Sequence, residues 1–191
     1  MPFYSKAISD LEWSDVLELK KERAQETVRL EFKSEIPSNN EFLKKICSFA
    51  NTFGGYIIIG VTEENSYLSG LPGVDTQPNL AQRLAQICFE QIYPPITPHL
   101  SQPLEVPESP GHSVYVVFVE ESDKAPHFVN DRRGCFVRAN ESSLRFKPKL
   151  ATLPELEHLL ERRRKAVDYR EHLLTRAEDR FREHAREPHG R

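Results

Sequence analysis

The stretch FANTFGGYIIIGVTEE, Phe49 to Glu64, constrains this chain more than any other. It ends an amphipathic helix on a glycine pair and passes directly into an apolar run, Tyr56 to Val61, that closes on two carboxylates. An unbroken apolar run predicts a strand buried on both faces, and so a sheet with cover on each side. The adjacent glycines predict a tight turn needing φ > 0. A turn after Asn51-Thr52 is also compatible with cradling a phosphate, but the patterns GxGxxG and GxxxxGK[ST] are absent, so neither dinucleotide-type nor P-loop binding is indicated.

Upstream, a polar helix is predicted over residues 5–25, with Ile8, Leu11, Val16, Leu17 and Leu19 as an irregular apolar face. Val28, Leu30 and Phe32 alternate with Arg29, Glu31 and Lys33, the period-2 pattern of a half-buried strand. Pro37 to Asn40 breaks the chain, with Asn39 or Asn40 as N-cap of the next helix. Downstream, Pro78 to Tyr93 reads as a second amphipathic helix, stopped by prolines 94, 95 and 98. His99–Val106 and Ser113–Glu120 read as a hairpin turning through Pro107 to Gly111, and Cys135–Arg138 as one more strand. The expected fold is a single α/β (α+β) domain over residues 1–150.

The last forty residues follow another rule. Leu153, Leu160, Val167, Leu174 and Phe181 recur every seven positions, with Arg163 and Arg170 interrupting the neighbouring seam. This predicts a long charged helix over 151–187, docked at its start and available for pairing later, with a disordered tail at 188–191. No apolar run reaches a membrane span, and no signal peptide is recognisable. Cys47, Cys88 and Cys135 are odd in number and lack CxxC spacing, which excludes a disulfide framework or zinc site as the reading; a cytoplasmic location is expected.

Formal charge is −3, but residues 124–149 run the other way. Lys124, Arg132, Arg133, Arg138, Arg145, Lys147 and Lys149 face only Asp131 and Glu141, and such a segment can form a phosphate-facing surface or an ordinary solvated rim. Among acids, Glu26, Glu31 and Glu63 are the candidates. Two or three carboxylates hold Mg²⁺ or Mn²⁺ while leaving water free for attack on a phosphodiester. Glu31 and Lys33 share a strand face; Glu26 joins them only if it precedes the strand or a bulge intervenes. On spacing alone, pairing of Glu31 with Lys33 or an arginine stands ahead of metal binding.

Glu26 to Lys33 meets the pattern Glu-x-x-x-x-Glu-Phe-Lys. Phe49 to Val61 meets Phe-Ala-Asn-Thr followed by Gly-Gly and an apolar strand closing on Gly-Val, and Val114–Val119, Ser122–Pro126 and Phe136–Arg138 follow in order. In these motifs the chain resembles the Schlafen AlbA-type domain, described in bacteria as a DNA-binding or ATP-binding domain. The resemblance implies one Schlafen-like mixed sheet flanked by helices. It implies nucleic-acid binding, structured RNA such as tRNA ahead of DNA, and a Mg²⁺- or Mn²⁺-dependent endoribonuclease with Glu26, Glu31 and Glu63 on the metal and Lys33 facing the phosphate. Family members commonly carry aspartate where this chain has Glu63. The alternative is a non-catalytic DNA- or RNA-binding, or nucleotide-binding, regulatory module. Schlafen nuclease cores clasp nucleic acid between two lobes; this chain supplies one, so the resemblance implies a homodimer, which the C-terminal helix would hold.

Overall fold

The computed structural model describes residues 2–129, 134–140 and 146–186. The predicted 5–25 helix is shorter than expected. Two 3-10 turns, Pro2–Ser5 and Ile8–Asp10, precede α1 (Trp13–Lys21), because the apolar positions before Trp13 do not keep a helical period. A capping box starts α1: Asp15 accepts the Glu12 amide at 2.8 Å, and Lys6 holds the same carboxylate at 2.7 Å.

Strand β1 (Leu30–Lys33) is also shorter than its alternation suggested. The backbones of Thr27 and Leu30 hydrogen-bond to one another at 3.0 and 3.3 Å, so the chain turns before pairing begins. Helix α2 (Asn39–Asn51) is capped by Ser38, whose hydroxyl accepts the Glu41 amide at 3.4 Å; the expected caps Asn39 and Asn40 lie inside the helix. There follow β2 (Gly55–Ile59), β3 (Thr62–Glu64), β4 (Tyr67–Gly70), β5 (Val74–Asp75), α3 (Leu80–Gln91), β6 (Ile92–Tyr93), β7 (His99–Leu100), β8 (Leu104–Glu105) and β9 (His112–Val119). The chain closes with β10 (Phe128–Val129), β11 (Phe136–Asn140), β12 (Phe146–Leu150) and α4 (Leu153–Arg186).

The main sheet is mixed. β1 pairs with β2 in parallel across α2, and β2 pairs antiparallel with β9, which also carries β5, β7 and β8. The predicted hairpin is therefore present, with its first arm split into β7 and β8 around Ser101-Gln102-Pro103. As the apolar run required, both faces of β2 are covered. Ile57 and Ile59 pack with Tyr115, Val117 and Val119 under α2 and α3, while Ile58 packs with Leu30, Phe32, Val114 and Val116 beneath α1. A third cluster of Ala125, Cys135, Val137 and Leu159 seats the start of α4 on β11.

That docking face of α4 is not its heptad line. Leu159 is buried and Leu156 packs beside it, whereas Leu153, Leu160, Val167, Leu174 and Phe181 are all exposed. No helix among the described residues is long and apolar enough to cross a membrane.

Candidate functional site

The glycine turn and the helix end before it fasten the structure around the site. At Gly54, φ is +63°, and a Cβ there would meet the Val119 carbonyl at 2.6 Å. Asn51, buried, donates to the carbonyls of His127 (3.0 Å) and Phe136 (2.9 Å) and accepts the His127 amide at 2.8 Å. Thr52 donates to Ser48 and accepts the Arg138 amide at 2.9 Å. The Phe49 ring lies under the Arg138 guanidinium at 4.1 Å. Phe-Ala-Asn-Thr is thus a clasp that fixes β11, and with it Arg138, against α2. His127 is buried, its ring held between the Pro94 carbonyl and the Ser122 hydroxyl (2.6 and 2.7 Å), which ties two loops together, and burial lowers its pKa.

On β1 the side facing α2 carries charge where β2 carries isoleucine: Glu31 sits beside Ile57 and Lys33 beside Ile59. Glu31 is only 4% exposed. Its Oε1 meets Lys45 of α2 and Lys33 (2.9 Å), and its Oε2 meets Arg138 of β11 at 2.6 Å. Burial alone would raise this carboxyl, but Lys45, Lys33 and Arg138 together hold it down to about 2. Charged groups this close out of water interact strongly, and the three cations satisfy one anion.

Glu26 reaches the same place because it precedes the Thr27–Leu30 turn. Its Oε1 accepts the Phe32 amide at 2.7 Å and its own amide donates to the Ser66 carbonyl at 2.8 Å. The β3–β4 hairpin, turning through Asn65 and Ser66 at positive φ, brings exposed Glu63 into hydrogen-bond reach of Glu26. Burial, then repulsion from Glu63 and Glu31, pushes Glu26 up to about 7 against the opposing effect of the Phe32 amide. The result is a cleft of about 460 Å³ lined by Glu26, Glu31 and Glu63, by Lys33, Lys44, Lys45 and Lys147, and by Glu41, Phe146 and Pro148.

The donor set fits a divalent cation in part. Glu26 and Glu63 are two mutually repelling carboxyls that a cation would relieve. Both oxygens of Glu31, by contrast, are taken by lysine and arginine, and among the described residues no group of three or more His, Cys, Asp or Glu is arranged to hold a metal. Lys45 and the cationic role of Arg138 on Glu31 are not readable from spacing, since they lie 14 and 107 residues from it.

Among the described residues, the basic segment's Lys124, Arg138, Lys147 and Lys149 do not share one surface. Arg138 is buried in its ion pair and cannot face solvent phosphate as expected. Lys149 pairs with Glu155 at 2.9 Å, Lys124 is exposed on a separate loop, and Lys147 lines the cleft. Arg132, Arg133 and Arg145 lie outside the described residues, as does the predicted 188–191 tail.

No curated protein matches the chain. Among solved structures it is similar to the DIP2311 protein from Corynebacterium diphtheriae, at 16% identity and a TM-score of 0.46, over 70% of this chain and 29% of that one. The chain thus spans less than a third of that protein's length. Residues 26–147, from the first carboxylate of the cleft to its last lysine, match the family described as Schlafen, AlbA_2. The chain belongs to the Schlafen AlbA_2 family.

Proposed function

We propose that the cleft binds the phosphodiester backbone of a nucleic acid, with structured RNA such as tRNA as the preferred class, and that it supports endonucleolytic hydrolysis. The observation that carries the reading is the convergence of Lys33, Lys44, Lys45 and Lys147 with Glu26, Glu31, Glu41 and Glu63 in one open cleft, within a family whose membership points to nucleic-acid-related function. Lys33, Lys44 and Lys147 would contact phosphate, while Lys45 and Arg138 hold Glu31 and so set the position of Lys33. Mg²⁺ or Mn²⁺ on Glu26 and Glu63 would supply charge neutralisation at the phosphate and an activated water. The full pairing of Glu31 favours a second reading, a non-catalytic DNA- or RNA-binding module.

The deciding assay uses total tRNA with Mn²⁺ and compares wild type with Glu63→Ala, whose side chain is exposed and so does not burden folding. Cleavage by wild type that falls at least tenfold in the variant and vanishes with chelator is the expected result. RNA retained by both proteins without cleavage leaves the binding module, and no binding at low salt defeats both readings, because phosphate contacts dominate there.

We further propose a homodimer through the exposed heptad line of α4, which would set two clefts on one ligand. Sedimentation equilibrium at micromolar concentration should give twice the 22.1 kDa chain mass, reverting to one chain in Val167→Asp/Leu174→Asp. A wild-type monomer removes the proposal.

A further inference from the structure

The sheet face opposite the carboxylate cleft is not fully covered. Beyond α1 and the N-terminal turns, Tyr56 on β2, Phe118 on β9 and His99 on β7 are direct cross-strand neighbours, and they form a row of rings across three strands. Tyr56 and Phe118 lie 4.8 Å apart at 36°, and Phe118 and His99 6.2 Å apart at 30°. Tyr4, exposed, closes edge-on against Tyr56 at 5.3 Å. Two adjoining depressions, about 470 and 680 Å³, share Tyr4, Tyr56 and Phe118, so the row floors one continuous trough.

We propose that this aromatic row is a stacking surface for the unpaired bases of a single-stranded nucleic-acid segment. Rings set at strand spacing on one sheet face, partly exposed and leaning on one another, leave outer faces and edges, widest at Tyr4 and His99, that a base of any identity can cover. Charge at the trough fits the same ligand. Arg29 stands at one end with its guanidinium over the exposed ring of Phe53 (5.6 Å), and it makes no ion pair among the described residues. Lys6 stands at the other end, partly engaged by Asp15. Two carboxylates also line the trough. Glu121 is neutralised by Arg162 at 2.7 Å, while Glu120, 3.9 Å from His99, leaves the floor suited to bases rather than phosphates.

Position supplies the remaining argument. β1 is the outer strand of the sheet, and the segment before it lies between the two sites: Glu26 lines the cleft, while Thr27 and Arg29 line the trough. A strand whose backbone lies on the cleft lysines would cross this edge and present its next bases to Phe53, Tyr56 and Phe118. The inference rests on the proposed nucleic-acid reading of the cleft and assigns the single-stranded part of its ligand.

The test uses the full chain in chelator, without divalent cation, with fluorescent 2′-O-methyl 12-mers, one of adenine and one abasic, so that length and charge match and metal-dependent cleavage is switched off. The adenine strand should bind at least about tenfold more tightly than the abasic one. Tyr4→Leu and Phe118→Leu should each weaken the adenine strand about fivefold or more, the effect of losing one base–aromatic stack, and leave abasic binding unchanged. Tyr4 is exposed, so its variant stays informative if Phe118→Leu unfolds. Equal affinity for the two strands, wild-type affinity in Tyr4→Leu, or displacement by a proline-rich peptide but not by the adenine strand would each overturn the proposal. Lys147→Glu separates the sites. If it weakens both strands while the ring variants are silent, the cleft stands and the trough fails. If it is silent while the ring variants weaken the adenine strand, the trough stands and the cleft reading fails.

Discussion

Replacing Glu31 with glutamine is expected to remove about 3–5 kcal/mol of stability, the usual cost of breaking a buried ion pair from one side. The substitution keeps the shape of the side chain and removes the one anion shared by Lys33, Lys45 and Arg138. Among the described residues Arg138 then has no other carboxylate: it is buried over Phe49, and its other side-chain hydrogen bonds there go to the Thr27 and Phe146 carbonyls. In thermal melts this corresponds to a fall of roughly 6–20 °C for a chain of this size. Adding Arg138→Met should restore part of the loss, since it removes the stranded charge; a non-additive double mutant identifies the pair as the source. A single-mutant loss below about 1 kcal/mol by urea unfolding would show that the network carries no stability.

The pH dependence has a matching sign. The folded pKa of Glu31 lies at about 2, below the ordinary 4.5, so its contribution is complete above pH 4.5 and disappears as pH falls toward 2. Glu26 runs the other way: its folded pKa is about 7, so its contribution is complete below pH 4.5 and is lost as pH rises through 7. Glu26→Gln should therefore flatten the decline between pH 4.5 and 7 while leaving the acid limb intact. Mn²⁺ bound at Glu26 and Glu63 would raise the melting temperature more at pH 8 than at pH 5, because binding requires the deprotonated pair.

What the sequence made legible, and what it hid, follows from how local each signal is. The apolar run at Tyr56–Val61 and the periodic helix before it reveal their burial within a few residues of chain. Strand β12 is not legible from the sequence because Pro148 sits in its middle, a residue tolerated there because, among the described residues, β12 pairs with β11 alone. The β3–β4 hairpin was missed because its turn, Asn65-Ser66, reaches positive φ without a glycine, and Glu63 was accordingly read as lying beyond a strand, not on one. Parity places Glu26 on the face opposite Glu31 in an unbroken strand; the Thr27–Leu30 turn interrupts the strand and removes that restriction. Glu31 pairs with Lys33 and with an arginine, as its spacing favours; what alternation does not reveal is its burial. Alternation predicts a half-buried strand with Glu31 on its polar face, and α2 and β11 cover that face with Lys45 and Arg138, an outcome set by packing at long range.

The second large effect lies in the glycine pair. Gly55→Ala should destabilise by about 4 kcal/mol or more, a magnitude that marks a defined structural failure. Gly55 has φ +146°, a region close to glycine-only, and a Cβ there would sit 2.3 Å from the Arg29 carbonyl oxygen and 2.7 Å from the Phe49 ring. Neither neighbour is free to move. The Arg29 oxygen accepts the Tyr56 amide at 2.8 Å, at the start of the β1–β2 pairing, and the Phe49 ring supports Arg138 in its contact with Glu31. One methyl group would therefore push on the strand entrance and the charge network at once. Gly111→Ala is the control, because Gly111 also has positive φ, +85°, but nothing within 4 Å of its Cβ position. It should lose only the backbone strain of about 1–2 kcal/mol. Urea unfolding of the two variants isolates the close approach from the dihedral. Equal losses would mean that the glycine pair serves the turn alone and that β1 can yield around a side chain at position 55.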